Sequence, residues 1–380
     1  MEALIRNNQT VYFNNLDAMR GAAALAVVMY HIALWIPAPV TYACTELKIV
    51  LSFAGSGGLY GVHFFFVLSG FLISYRLFEE KQINGKIQPL HFYVRRILRI
   101  WPLYYVTIII GFFITSRNSD FFHLFYYLFF AANIDLIQHP TPENPMLGVH
   151  WSVAAEEQFY LLWPLLFILI QSPRMMAGIF MVLIFASEVF FQTQLVWEMG
   201  YYHPLCALRF LATGGLLAWM CFFHQKKVEY AFQLLPKGFI IFLYALFPCL
   251  LYFRGSITET FPFLTWFLTL LPLFFFCFVI AEQHMNPKKA FAFGQVNWLN
   301  KSGKISYGMY LLHMPAIQIC MYLFPVVSSI GFVYAAVCSL VLTYFFSLIS
   351  YLFLEKPFLS LKEKYFGMRI PTPVDGSLIK

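Results

Sequence analysis

The chain has 380 residues, of which 60% are hydrophobic and only 11% charged, and its net charge is +7. A soluble domain could not cover so much apolar surface with so few charges. The basic residues lie scattered between apolar runs, not on one soluble face, which argues against a nucleic-acid binder. What fits is an all-α polytopic membrane protein built from recurring uncharged runs.

In chain order, residues 1–15 read as an N-terminal tail and 16–37 as the first span. No A-x-A-like cleavage site follows it, so it is expected to be retained as an anchor. This span, "LDAMRGAAALAVVMYHI", carries Arg20 and His31. Eleven residues at ~100° each bring both to nearly one face, about 16 Å apart along the axis. An ionisable group inside a bilayer costs ~2.5–3.5 kcal/mol or more, so such groups tend to line cavities and to serve a function. The bland alternative is a snorkelling Arg and a His bonded to a neighbouring helix. The spacing suits a cation holding a phosphate-bearing carrier at the membrane rim, with a base one pantetheine-like arm deeper.

The second span, 59–78, places Ser69-Gly70 at its middle, which more often marks close helix packing than catalysis. The third, 100–116, is entered through "YVRRILRIWPLYY". There Arg96 and Arg99 stand at i, i+3, and Arg95 and Arg99 at i, i+4, a cluster able to grip phosphates. The alternative is a positive anchor beside a Trp101/Tyr104/Tyr105 aromatic belt. The stretch 121–132, "FFHLFYYLFFAA", is too short to span easily and is expected to be interfacial or re-entrant. It lies in a long loop, about 117–154, that also contains the turn-forming "HPTPENP".

The fourth span, 155–171, opens with Glu156 and Glu157 in "GVHWSVAAEEQFYLLWPLL". A carboxylate there orients His31 or binds an incoming hydroxyl, or merely complements the positive end of the helix. Spans 175–193, 205–224, 238–254 and 262–282 follow. The ninth, 305–324, contains "ISYGMYLLHMP", in which Tyr307, Tyr310 and His313 are spaced by three along one side. The tenth, 332–354, ends in "LEKPF", and 356–380 reads as a basic tail.

With ten spans, nineteen of the 25 Lys and Arg fall on the side of both termini and two, Lys48 and Arg117, on the other. The positive-inside rule then puts both termini in the cytoplasm. Six of the seven Cys lie in apolar segments and Cys44 is alone in a loop, so no disulfide framework is expected. His63, His123, His139, His150, His203 and His284 show no metal-ligand spacing such as H-x-x-x-H, so no metal is expected.

Taken together and in order, these motifs resemble the acyltransferase-3 family of bacterial-type integral membrane O-acyltransferases, from residue 16 to about 358. The residues that carry the resemblance are the Arg-x10-His pair (Arg20, His31), "GVHFFFVLSGFLI", "RRILRIWPLYY", "WSVAAEEQFYLLWP", "SYGMYLLHMP" and "EKPF". The resemblance implies a membrane domain over 16–355, about ten helices around a central cavity for acyl-CoA and acceptor, in the cell inner membrane. It implies transfer of an acyl group, commonly acetyl, from cytoplasmic acyl-CoA to a hydroxyl of an envelope glycan, glycolipid or related acceptor. Acyl-CoA is then a co-substrate, not a permanently bound cofactor.

By the family pattern His31 is catalytic, Glu156 is the motif glutamate with Glu157 beside it, and Arg20, Arg96 and Arg99, joined by Arg95, serve the CoA side. Tyr307, Tyr310, His313 and Ser69 are left as acceptor-side or structural polar groups. His63 departs from many relatives. Some relatives add a C-terminal esterase-like domain, so a second step is expected to need another protein. The expected mechanism is general-base catalysis by His31, with Glu156 holding its tautomer. A covalent acyl-His intermediate is the rival within that class. A transporter or flippase, and a structural or sensory membrane protein, are the rivals outside it. A transporter would show inverted repeats, and the sequence has no internal repeat.

Overall fold

A computed structural model of the chain describes residues 13–35, 45–115, 121–139, 144–324 and 328–366. Cys44, Arg117 and the tail beyond residue 366 therefore lie outside the described residues. Among those described there are helices and turns and no strand. The first three helices are α1 (Asn14–Leu34), α2 (Thr45–Asn84) and α3 (Pro89–Thr115). Short pieces follow: α4 (Phe121–Leu128), α5 (Ala132–Gln138) and the single turn α6 (Pro145–Gly148). Then come α7 (His150–Leu169), α8 (Pro173–Gln192), α9 (Trp197–Tyr202), α10 (Pro204–Phe223), α11 (Gln225–Leu234), α12 (Lys237–Tyr252) and α13 (Arg254–Thr260). The chain closes with α14 (Thr265–Met285), α15 (Asn297–Lys304), α16 (Ser306–Leu323), α17 (Ser329–Ser350), a π-helical segment Tyr351–Glu355 and α18 (Lys356–Phe366).

Eight helices among the described residues are long and apolar enough to cross a membrane, or nine if α11 and α12, bent by 93°, count as one span. Ten were expected. The difference is α16, whose 18 residues include Ser306, Tyr307, Tyr310, His313 and Gln318. Those polar groups dilute its hydropathy, yet Tyr310 and His313 are buried against neighbouring helices. A helix shielded from lipid by protein does not need a lipid-compatible surface. With eight and seven residues, α4 and α5 are too short to cross, in line with the interfacial or re-entrant reading of 121–132.

Two helix starts lie N-terminal to where apolarity alone suggested. α3 begins at Pro89, so Arg95, Arg96 and Arg99 sit within it, not ahead of it. α7 begins at His150, so Glu156 and Glu157 fall in its second turn, and no acidic residue occupies the first. That removes the helix-terminus explanation for the two glutamates, because the macrodipole effect fades within the first turn.

Helices α2 and α10 form the most buried pair of spans, while α8 and α17 are the most exposed. α2 and α10 cross backbone to backbone. A Cβ placed on Gly70 would stand 2.0 Å from the carbonyl oxygen of Leu211, and one on Gly214 would stand 2.0 Å from that of Val67. Small residues permit such an approach in a medium where apolar surface gains nothing by leaving lipid. Beside this crossing Arg209 of α10 meets Glu188 of α8 at 2.7 Å, both 5% exposed. Thr269 of α14 donates to the same carboxylate at 2.9 Å. On the opposite face of α7, Leu161, Leu162, Leu165 and Leu169 are exposed, as lipid contact requires.

Candidate functional site

A half-open cavity lies between α1, α2, α3, α7 and α16, with a water-accessible volume of about 120 Å³. A single water needs roughly 10–15 Å³ by that measure, so the space holds a phosphate-sized group and its solvent. Its polar lining is Arg20, Ser69, Arg96, Arg99, Ser152, Glu156, Tyr160, Ser306, Tyr307 and Tyr310. Seven residues singled out from the sequence, scattered over nearly 300 positions, therefore meet on one wall: Arg20, Ser69, Arg96, Arg99, Glu156, Tyr307 and Tyr310.

The three guanidiniums differ in how they are engaged. Arg20 pairs with Asp17, one turn earlier on α1, at 2.7 Å. Arg96 lies over the rings of Phe92 (5.6 Å) and Tyr160 (5.2 Å), and its buried Nε has no hydrogen-bond partner. Arg99 makes no hydrogen bond or ion pair among the described residues. Facing these cations on the wall is one carboxylate, Glu156, so the cavity carries an excess of positive charge and unused planar donors. That combination binds anions, and phosphate oxygens in particular, through charge-assisted hydrogen bonds.

α7 supplies the cavity with a stripe at helical spacing: Ser152, Glu156 and Tyr160, at i, i+4 and i+8. The Tyr160 hydroxyl donates to Glu156 Oε2 at 2.9 Å. Having given its one proton there, Tyr160 accepts from the Ser69 hydroxyl, which lies in hydrogen-bond contact. Ser152 bonds the Tyr310 hydroxyl at 2.6 Å, and Tyr310 also donates to the carbonyl oxygen of Val149 at 3.0 Å. Tyr307 donates to the carbonyl oxygen of Ile100 at 2.8 Å, tying α16 to α3 just beyond Arg99. Tyr160, Ser152 and Asp17 were not anticipated; the i+4 relation of Tyr160 to Glu156 was the available signal.

Four expected residues do not line this cavity. Arg95 turns to Glu80 on α2, 3.3 Å away. Glu157, one residue and about 100° on from Glu156, takes a hydrogen bond from the Trp101 indole at 3.4 Å. Its other oxygen is buried without a partner. His31 and His313 face each other instead, with Nδ1 of the first 3.1 Å from Nε2 of the second.

The tautomers of that pair follow from its surroundings. His31 Nδ1 lies 3.0 Å from the carbonyl oxygen of Val27, and His313 Nδ1 lies 3.2 Å from that of Met309. Carbonyl oxygens only accept, so both Nδ1 atoms carry hydrogen. The one His31 Nδ1–H is then shared between the Val27 carbonyl oxygen and the His313 Nε2 lone pair, which leaves the second lone pair of the duo on His31 Nε2. The orienting group is thus an imidazole and two backbone carbonyls. The expected carboxylate is absent from the His31 ring among the described residues. Tyr310, on the cavity wall, has its ring centre 5.9 Å from that of His313.

The sequence profile of the acyltransferase-3 family, described as an acyltransferase domain, matches residues 13–352. The chain is similar to the peptidoglycan O-acetyltransferase OatA of Listeria monocytogenes serovar 1/2a, 26% identical over 378 residues, covering 91% of this chain and 56% of that protein. It is similar to the O-acetyltransferase OatA of Staphylococcus aureus strain NCTC 8325, 27% identical over 374 residues, covering 91% and 57%. A putative peptidoglycan O-acetyltransferase, YrhL of Bacillus subtilis, is 26% identical over 196 residues, 47% of this chain and 28% of its own. The chain spans about half the length of the OatA relatives it matches. No solved structure matches.

Proposed function

The chain belongs to the acyltransferase-3 family, and from that premise we propose that it moves an acetyl group from acetyl-CoA, entering at the cytoplasmic face, to a hydroxyl of an envelope glycan. The Listeria relative is named for peptidoglycan, so a peptidoglycan sugar is the acceptor we put first. The observation that carries this reading is the cavity on which Arg20, Arg96 and Arg99 converge, two of them with donors unspent. A coenzyme's phosphates are the anions of matching geometry, and its thioester arm runs inward from them.

In the transfer, His31 Nε2 removes the proton of the acceptor hydroxyl while the oxygen attacks the thioester carbonyl. The tetrahedral adduct collapses, the carbon–sulfur bond breaks, and the coenzyme thiolate leaves with the proton that His31 returns. Such a base contributes about 10²–10⁴-fold. Supporting it are the contact of His31 Nδ1 with His313 and the partial exposure of His31.

A second reading has a specific observation behind it. Glu156 shares the cavity with the three cations and His31 does not, so Glu156, relayed through Tyr160 and Ser69, is the alternative base. Purified protein in lipid vesicles, given labelled acetyl-CoA and a soluble glycan acceptor, separates the two. On the first reading His31→Ala loses at least ~100-fold in kcat, the lower end of general-base effects, and Glu156→Gln loses less. The reverse order assigns the base to Glu156, and full activity in both variants removes both.

A further inference from the structure

Helices α4 and α5 fold back on each other through a tight turn in which Phe130 holds φ at +53°. A left-handed backbone is uncommon for a bulky residue and survives where the surroundings hold it in place. Ties from the rest of the protein do part of this. Tyr104 and Tyr105 of α3 donate to the carbonyl oxygens of Tyr127 (2.9 Å) and Leu128 (3.0 Å), and Gln158 of α7 donates to that of Phe130 at 2.7 Å. Away from the turn, the two helices are joined by three side chains that the proposed transfer does not use. His123 Nδ1 lies 2.7 Å from Asp135 Oδ1, and His139 Nδ1 lies 3.2 Å from the same oxygen. One ligand atom from each of the three fits within 4.8 Å of the others. The Asp135 side chain is only 6% exposed, and among the described residues no lysine or arginine pairs with it.

We propose that His123, Asp135 and His139 form a binding site for a divalent transition-metal ion of the zinc type. Two imidazole nitrogens and one carboxylate oxygen are a donor set that suits zinc and its first-row neighbours and not magnesium or calcium, which take oxygen ligands. Tetrahedral ligands about 2.0–2.1 Å from an ion stand about 3.3 Å apart. The His139–Asp135 separation, 3.2 Å, is close to that value, and the His123 and His139 ligand atoms, within 4.8 Å of each other, close toward it around the ion. The His123–Asp135 separation must open by roughly 0.6 Å to reach it, a small rotation for a side chain that is 30% exposed. His139, 53% exposed, gives the ion an entry path from solvent, and water takes the fourth position. In the bound form each imidazole is neutral, with its Nδ1 lone pair on the ion and its one proton on Nε2. The loaded site, two neutral imidazoles, one carboxylate and a divalent ion, carries one positive charge. The order His123, Asp135, His139 straddles two helices and a turn, which is why no ligand spacing shows in the sequence. The ion clamps the hairpin whose turn bonds to Gln158, next to Glu157 on α7.

The test uses the full chain, purified in detergent on a tag without histidines, stripped with chelator, exposed to zinc sulfate and desalted. Retained metal is counted by mass spectrometry, and cobalt chloride provides a visible spectrum. The expected result is about one zinc per chain in the wild type, with cobalt giving the intense bands of a tetrahedral site, and neither in His123→Ala/His139→Ala. Both substituted side chains are partly exposed, and size-exclusion elution confirms that the variant is folded. Zinc also raises the thermal unfolding midpoint of the wild type and leaves that of the variant unchanged, as ligand linkage demands. A wild type that retains no more than half an equivalent above the double variant overturns the proposal and leaves the trio as a hydrogen-bonded clamp only.

Discussion

Neighbouring residues on a helix point about 100° apart, and on α7 that angle sends Glu156 into the arginine-lined cavity and Glu157 to the indole of Trp101. Their substitutions are therefore expected to diverge. Glu156→Gln lowers kcat/KM by at least ~10-fold, the scale of a lost charge-assisted contact, whereas Glu157→Gln changes it by less than ~3-fold; initial rates with labelled acetyl-CoA measure both. The arginines separate in the same way. Arg96→Ala or Arg99→Ala each removes a hydrogen bond to a charged group, worth ~1.5–3 kcal/mol, and raises the KM for the donor about 10–150-fold. Arg95→Ala, whose charge faces Glu80, leaves that KM within ~3-fold, as expected of a pair outside the cavity. Helical spacing grouped Arg96 with Arg99 on a local face, whereas Glu156 was set ahead of Glu157 by the motif resemblance. The partner of His31 was not legible, because His313 stands 282 positions away and no periodicity links α1 to α16.

At the scale of elements, the sequence reading located the spans, α16 among them as 305–324, and put the start of α3 too late. α16 is too polar for lipid yet sits inside the bundle, and the basic, aromatic start of α3 is helical although it reads as a preceding loop. Long hydrophobic runs report contact with lipid; they say little about a helix that lines a cavity. The crossing of α2 and α10 gives a sharp prediction. Gly70→Val or Gly214→Val forces a side chain against a backbone carbonyl and costs about 2–3 kcal/mol, as overpacking does. Gly178→Ala on α8, with nothing within 4 Å of the added carbon, is near neutral and serves as the control. Thermal unfolding in detergent ranks the three.

For the whole molecule, the distribution of Lys and Arg predicts the orientation of the chain, and the cations that we propose bind the donor's phosphates lie on the side expected to face the cytoplasm. In sealed vesicles of known orientation, transfer should proceed only when acetyl-CoA is supplied on the side bearing Arg96 and Arg99. Equal rates from both sides would detach the cavity from the donor. The Glu188–Arg209 pair tests stability at this scale. Arg209→Met alone strands a buried carboxylate and destabilises by about 3–5 kcal/mol, while the double change Glu188→Gln/Arg209→Met recovers most of it. Denaturation in mixed micelles compares the two. Neither this pair nor the imidazole contact could be paired from sequence, since each needs the helices assembled first.

The Gly70–Gly214 contact has a mechanical consequence. Where main chain rests on main chain, no rotamer can swing aside, so these two helices travel as a single rigid spine. Under the proposed function, a bulky glycan is not admitted by prising them apart. α1 is locked to the same spine, since a Cβ on Gly58 would stand 2.6 Å from the carbonyl oxygen of Ala26 and one on Gly61 2.9 Å from that of Ala23. On that reading, an acceptor would meet a His31 whose helix is already clamped in place.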